Sequence, residues 1–573
     1  MIRVAVATAT ILLASTLSTA SKPLQACGGF FCQTAPINQA GEQIVFRQEG
    51  DEITAMVRIL YSGSAEEFSW VVPVPNTPEI SLGSDITFTQ LEFATRPQFF
   101  LERRGEQCEE FVPNFGVTPD TAGAPGNDED DSGVFIEQEL QIGPFDIDIV
   151  SSDNPDDLAI WLQDNGYELT DRGAELLAPY ITDGMKFVAV KLLNGEGIDS
   201  IQPLLMKYTS DKPVIPIRLT AVAAMPDMGV LTWVVADARA VPENYEHVTP
   251  NFTRLNWYTG SGNAYASYQT LITEAMNETA EGQGFATDYA GEISDEIVSQ
   301  LPNTERLEEI LEDLDSRDDA NFIAYSFFNF FFNSNTFSSR VAVLQRELPI
   351  EGDDVSINVA AANYQTTEGL QSQYSPEQLR AARIALRDFI VTREIEPVLN
   401  ANALLPQGAY MTRLFTTLSA EEMTRDPSFS YNASMPDQAI ERNALLESSC
   451  GENGTEWTLT LGEGTDREGE VVVAANQPIP FNAAPAGVDT QPAAILRERT
   501  SDDAAPELLF KAEPGVLEIA ADGSVSNTGI VISDADDDSD FLGSSGPVLL
   551  LLASGLLALR RHIKLKATQL TVS

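Results

Sequence analysis

Lysine and histidine are nearly missing from this chain. Eight of its 573 residues are Lys and two are His, His247 and His562, and between Cys27 and Gly546 the only lysines are Lys186, Lys191, Lys207, Lys212 and Lys511. With 34 Lys and Arg against 86 Asp and Glu the formal charge is −52, a field that repels phosphate backbones and anionic headgroups and excludes nucleic acid as a partner. Such a surface suits a saline or calcium-containing exterior, where counterions screen the self-repulsion, and equally serves solubility alone. The scarcity of His removes the usual base for a Ser or Cys nucleophile, and no Gly-x-Ser-x-Gly elbow occurs. Also absent are a His-Glu-x-x-His helix, a Walker loop and a Gly-x-Gly-x-x-Gly turn, the usual signatures of zinc hydrolysis, nucleotide hydrolysis and dinucleotide chemistry. His247, near Tyr245 in a Pro-bounded stretch, reads as a packed or surface residue and not as a catalyst. No repeat of solenoid period is visible.

Cysteine is scarce too, at four residues: Cys27, Cys32, Cys108 and Cys450. In an exported chain the even number reads as two disulfides with three possible pairings, of which Cys27 with Cys32 and Cys108 with Cys450 is preferred. Zinc is disfavoured because the Cys-x4-Cys pair has no second Cys or His pair near it.

Export is written at the start of the chain. Arg3 precedes an apolar run from Val4 to Leu17, and small residues follow, the pattern of a secretory signal peptide. Cleavage fits after Ala20 or after Ala26, and the second makes Cys27 the first mature residue. Residues 24–27 also resemble a lipoprotein box, although Lys22 and Pro23 separate it from the apolar run.

The 573 residues, 43% of them hydrophobic, can bury substantial cores. The expected class is α+β: a mixed strand and helix N-terminal region, a helical middle, a small β-rich C-terminal unit and a single C-terminal transmembrane helix. The expected divisions are 1–26 signal peptide, 27–117 strand-rich region, 118–133 acidic loop, 134–300 α+β region and 301–450 mostly helical region. Residues 451–532 then form the small β-rich unit with a Pro/Ala-rich linker, 533–546 an acidic and Gly/Ser linker, and 547–573 a transmembrane or sorting tail.

Within these, residues 43–46, 53–61 and 68–75 pattern as strands, with Gly50-Asp51 as a hairpin turn between the first two. Pro73 and Pro75 cannot donate ladder hydrogen bonds, which puts their segment at a sheet edge or outside it. Residues 85–95 read as a short helix, and Pro155 opens another with acidic residues in its first turn, stopped by Gly166. Residues 187–193, 215–223 and 230–236 read as buried strands. Thr304 is expected to cap a helix over 305–314. The crowd Phe327, Phe328, Phe330, Phe331 and Phe332 reads as a buried helix, with an aromatic patch for an apolar ligand or a membrane surface as the functional alternative. Ser375-Pro376-Glu377-Gln378 is a capping box opening a helix whose Leu379, Ala382, Leu386, Phe389 and Ile390 share a face, with Pro397 expected to end it. Residues 456–461 and 470–474 read as strands, and the Pro-rich stretch 478–506 as an extended linker.

Four of these stretches, Cys27-Gly-Gly-Phe-Phe-Cys32, Trp70-Val-Val-Pro-Val-Pro75, Trp161-Leu-Gln-Asp-Asn-Gly-Tyr167 and Asp237-Ala-Arg-Ala-Val-Pro-Glu-Asn-Tyr245, together resemble the bacterial exported family called domain of unknown function 2330, over residues 27–437. The resemblance implies an exported envelope or secreted protein and brings no catalytic residue with it.

At the other end, Pro547 to Leu559 is a strongly apolar run of 13 residues, and extension back to Phe541 makes 19 residues, about 28 Å of helix, enough to span a hydrocarbon core. Arg560, Arg561, Lys564 and Lys566 then fall on the cytoplasmic side, leaving the body outside. The order of small residues, apolar run and Arg pair resembles bacterial C-terminal sorting signals cut by intramembrane proteases, although residues 543–546 depart from the paired glycines of the best-known type. A processing protease and the membrane are therefore expected partners. Asp128, Asp130, Asp131, Asp536 and Asp538 are the candidate calcium ligands. Neither acidic run has the turn Gly and distal Glu of a calcium loop, so both read as solvated linkers, and no cofactor is expected.

Two functions of different class remain. The preferred one is a non-enzymatic binding or structural envelope protein, membrane-tethered or at the surface, with an envelope protein or polymer as partner. The other is a carboxylate-dependent hydrolase of envelope or extracellular polymers, which needs only two acids about 5–10 Å apart. Two facing, unpaired carboxylates in a cleft would favour the hydrolase, and an apolar surface the binding protein.

Overall fold

Strand Asn38–Glu49 turns Ile44 and Phe46 to one face and Val45 to the other, and Glu52–Ser62 repeats the pattern with Ile53, Ala55 and Val57 opposed to Met56. A sheet with apolar residues on both sides needs cover on both sides, and the rest of the chain supplies it. The computed structural model describes residues 38–534 except 63–67, 106–134, 168–170, 194–199, 259–260, 327–336, 351–356, 452–453, 462–468, 474–487, 489–490, 501–504, 513–515, 521–523 and 529–531. Through Ile532 the described chain forms one compact unit; of the second unit, Ser533–Ser573, only Ser533 and Asp534 are described.

The principal sheet runs in the order Glu507–Ala512, Ala494–Arg499, Glu246–Pro250, Gly284–Glu292, Tyr410–Leu418, Ala224–Ala236, Asn38–Glu49, Glu52–Ser62, Leu204–Thr209, Glu79–Leu82. Asn38–Glu49 pairs antiparallel with Glu52–Ser62 and parallel with Ala224–Ala236. The turn between the first two strands is the expected Gly50-Asp51, with Gly50 at φ +66°, a conformation glycine adopts without a Cβ clash.

One face of this sheet, with Val45, Met56, Trp233, Met411 and Phe415, packs on helices Asp85–Thr95 and Ser261–Met276 and on a six-stranded sheet. That second sheet joins Glu441–Gly451, Gly454–Leu461, Gly469–Val473, Val516–Ile519 and Val525–Thr528 to Gln98–Gly105, which runs parallel to Glu441–Gly451 with Ser448 opposite Gly105. The opposite face, with Ile44, Phe46, Ala55, Val57 and Met206, packs on a four-stranded sheet in the order Ser69–Val74, Lys186–Leu192, Phe145–Ser151, Phe135–Ile142. Helices Pro155–Asp164 and Asp171–Thr182 close its far side through Leu158, Trp161, Leu162 and Leu177. A separate helical core gathers Leu307, Leu314, Val341, Leu344, Tyr364, Leu386 and Ile390. The chain is thus mixed α+β.

Local signals act as read at several places. The helices expected over residues 85–95 and from Pro155 form as Asp85–Thr95 and Pro155–Asp164, which the structure shows capped by Ser84 and Asn154, and Pro376–Ile390 carries the expected Ser375/Gln378 capping box with all five expected apolar residues buried. Other expectations are corrected. Asn303, not Thr304, caps the helix Thr304–Asp315, its side chain accepting from the Arg306 amide at 2.8 Å; Asn is the stronger cap of the two. Residues 215–223 hold a short helix, Ile217–Thr220, where a strand was expected, since a short apolar run cannot by itself separate the two periods. Pro397 does not end the helix. The chain widens into a π turn at Val391–Ile395 and continues as Glu396–Ala403, so Pro397 falls in a first turn, where its missing N–H is tolerated. The Pro-rich stretch contains a strand of the principal sheet, Ala494–Arg499, begun by the buried Ala494 and Ile495 just after Pro492.

The phenylalanine cluster 327–332, the leader and the 547–573 tail lie outside the described residues. Among the described residues, no helix is long and apolar enough to cross a membrane.

Candidate functional site

The segment Trp70–Pro75 is where proline chemistry and an opening in the packing coincide. Ser69–Val74 pairs on one side only, with Lys186–Leu192, as a strand carrying Pro73 must. Between this edge strand and the principal sheet lies a cavity of about 280 Å³. Its roof is Trp70 through Pro75. Its floor is the even-numbered face of the sheet, Glu42, Ile44 and Phe46, joined by Val57, Met206 and Tyr208. Tyr180 and Met185 close one part, and Lys212, Arg218 and Asp426 another. The volume sits just under the usual range of small-molecule sites, roughly 300–1,000 Å³.

Two of the cavity's ion pairs are complete within the wall. Arg218 donates from Nε to Asp426 Oδ2 at 2.9 Å and from its backbone amide to Oδ1 at 3.0 Å; the Tyr180 hydroxyl donates to the same Oδ1 at 2.8 Å, beneath the Arg218 guanidinium 4.4 Å from its ring. Lys212 donates to both oxygens of Glu243, at 2.9 and 2.7 Å, and Ser428 adds a third hydrogen bond there. Asp183, which also lines the cavity, is exposed.

Glu42 differs. It is only 6% exposed, and among the described residues its one side-chain partner is Gln39, whose Nε2 donates at 3.4 Å. Burial outweighs that contact and pushes its carboxyl up to about 7. Tyr208, also facing the cavity, has its phenol raised by burial. An acid among 86 gives no signal by type, but Glu42 shares the alternating face of Ile44 and Phe46, and a lone carboxyl on an apolar strand face was the clue available in the sequence.

The residues singled out by sequence reasoning fall elsewhere. His247 is buried in the principal sheet, its Nε2 3.0 Å from Thr287 Oγ1, and burial together with Arg239 lowers it to about 3, so it is neutral at pH 7. Cys27, Cys32 and Cys108 lie outside the described residues, as do Asp128, Asp130, Asp131, Asp536 and Asp538. Cys450 sits near the end of Glu441–Gly451. Among the described residues no group of three or more His, Cys, Asp or Glu side chains could hold a metal ion.

A second buried polar cluster acts as a clamp. Asp288 and Arg413 are each 1% exposed at the side chain and 3.1 Å apart, and Tyr268 donates to Asp288. Arg413 also donates to the Glu92 carbonyl at 3.0 Å, to Thr95 Oγ1 at 3.2 Å and to the Tyr265 hydroxyl at 3.3 Å. It thereby fastens helices Asp85–Thr95 and Ser261–Met276 to the sheet, with no face open to a ligand.

The model of a family described as an uncharacterized protein conserved in bacteria, DUF2330, matches residues 22–309, which is 288 of the 573. The matched span holds the cavity's roof and floor, including Glu42, and stops short of Asp426. No curated protein and no solved structure matches the chain.

Proposed function

The chain belongs to this bacterial family, DUF2330, and we propose that it works outside the cytoplasm as a non-enzymatic binding protein that holds a small, largely apolar molecule between two of its sheets. One observation carries the reading: a small-molecule-sized cavity roofed by Trp70–Pro75 and floored by Ile44, Phe46, Val57 and Met206. The leader at residues 1–26, the four cysteines and the basic residues after the 547–559 run support an exported, membrane-tethered body, released if a protease removes the tail. The hydrolase reading needs two facing carboxylates; of the cavity's acids Asp426 is saturated by Arg218 and Tyr180, which leaves the buried Glu42 and the exposed Asp183, and no hydrogen bond among the described residues links those two.

The test is to purify the protein from the bacterial envelope, extract it with organic solvent and identify what is released, with an intact mass of the same sample reporting the state of both termini. A stoichiometric small molecule is expected, and Met206→Trp, which fills the cavity, should abolish its retention. Solvent extracts with no such molecule, together with an unchanged melting temperature in medium-chain amphiphiles, would sink the reading.

A further inference from the structure

We propose that the cavity takes a ligand with a cationic amine head and an apolar body, the ammonium seated on the Glu42 carboxylate; this rests on the binding reading above. The charges around the cavity do not balance. Lys212 and Arg218 are matched within the wall by Glu243 and Asp426, and Asp183 is at the solvent, which leaves Glu42 as the buried acid without a cationic partner among the described residues. A buried carboxylate held only by an amide at 3.4 Å is costly, and a hydrogen-bonding cation relieves that cost.

The surroundings of Glu42 suit the rest of such a molecule. Ile44, Phe46, Val57 and Met206 offer the body an apolar floor, and Trp70 and Tyr208 add aromatic lining of the kind that attracts an ammonium. The whole-molecule charge of −52 draws cations and repels anions on approach. An anionic head would meet two cations already committed to carboxylates and a third carboxylate facing it. Burial lifts the Glu42 carboxyl to about 7, so at pH 8 it is mostly ionised and ready for an arriving ammonium.

The experiment is calorimetric titration of the folded, full-length protein at pH 8 and moderate salt with decylamine, decanol and decanoic acid, which share an apolar body and differ in the head. Decylamine is expected to bind roughly tenfold more tightly than decanol, the worth of one charge-assisted contact, with decanoic acid weakest. Glu42→Gln should remove the advantage of the amine and leave decanol unchanged. Tightest binding of decanoic acid, equal binding of amine and alcohol, or an amine preference that survives Glu42→Gln as mere surface attraction would each overturn the proposal while leaving a binding cavity intact. Failure of all three to bind would overturn the binding reading and the proposal with it. The comparison of heads on the unaltered protein stands even if the variant does not fold.

Discussion

Glu42 holds its proton into the neutral range because its strand face is otherwise apolar, and that has a consequence for stability with a definite sign. Its folded pKa, about 7, lies above the ordinary 4.5, so the folded state binds more protons than the unfolded one between these values. The favourable contribution is complete below 4.5 and is lost as pH rises through 7. Glu42→Gln keeps the shape and removes the titration. Urea unfolding should show the variant more stable than the parent by roughly 3 kcal/mol at pH 8, shrinking toward zero near pH 4.5; a difference independent of pH would contradict this. Arg413 gives the opposite kind of residue. Arg413→Met leaves Asp288 buried without its cation, and a loss of about 3–5 kcal/mol is expected by the same measurement. A loss under 1 kcal/mol would show the clamp to be dispensable.

The elements divide by the reach of the interactions that define them. The Gly50-Asp51 hairpin, the Asp85–Thr95 helix, the Ser375 capping box and the edge position of Trp70–Pro75 were legible, because each depends on residues within a few positions of one another. What defeated local reading was context. Pro397 looks like a stop until the π turn at Val391–Ile395 is known, which lets Glu394 reach the buried Arg340, Arg340 Nε donating to Glu394 Oε1 at 2.7 Å, while its neighbour Arg393 meets Gln202. Ala494–Arg499 is a strand because distant Glu246–Pro250 accepts it, and nothing in a Pro-rich stretch announces that. The cavity was invisible for the same reason, since its roof and floor come from separate sheets. Long-range pairing also bears on the cysteines. Ser448 lies opposite Gly105; Cys108 follows Gly105 by three residues and Cys450 follows Ser448 by two, distances the chain covers in about 10 and 7 Å. Non-reducing peptide mapping should therefore recover Cys108 joined to Cys450, and a bridge from Cys27 to either would contradict it.

At the scale of the whole molecule, excess carboxylate and buried acids act together. Burial raises Asp85 and Asp148 to about 6, like Glu42 above their ordinary values, so their contributions too are lost on going to pH 8, where repulsion among the 86 acids is also greatest. Below about pH 4 the balance reverses: Glu137 and Asp315, held low by hydrogen bonds from Lys186 and Arg387, lose their contributions as they protonate. Melting temperatures should accordingly peak near pH 5 and, at pH 8, rise with added salt; a maximum at pH 8 or indifference to salt would refute the charge argument. The sheet order carries one more implication, for how the chain matures. Tyr410–Leu418 lies between Ala224–Ala236 and Gly284–Glu292 and is hydrogen-bonded to both. A chain emerging N-terminus first therefore presents two open strand edges until residue 418 arrives, a wait of well over a hundred residues during which those edges can pair wrongly. A fragment cut to residues 22–309 keeps both edges and lacks the strand that joins them, so it is expected to expose them to wrong pairing.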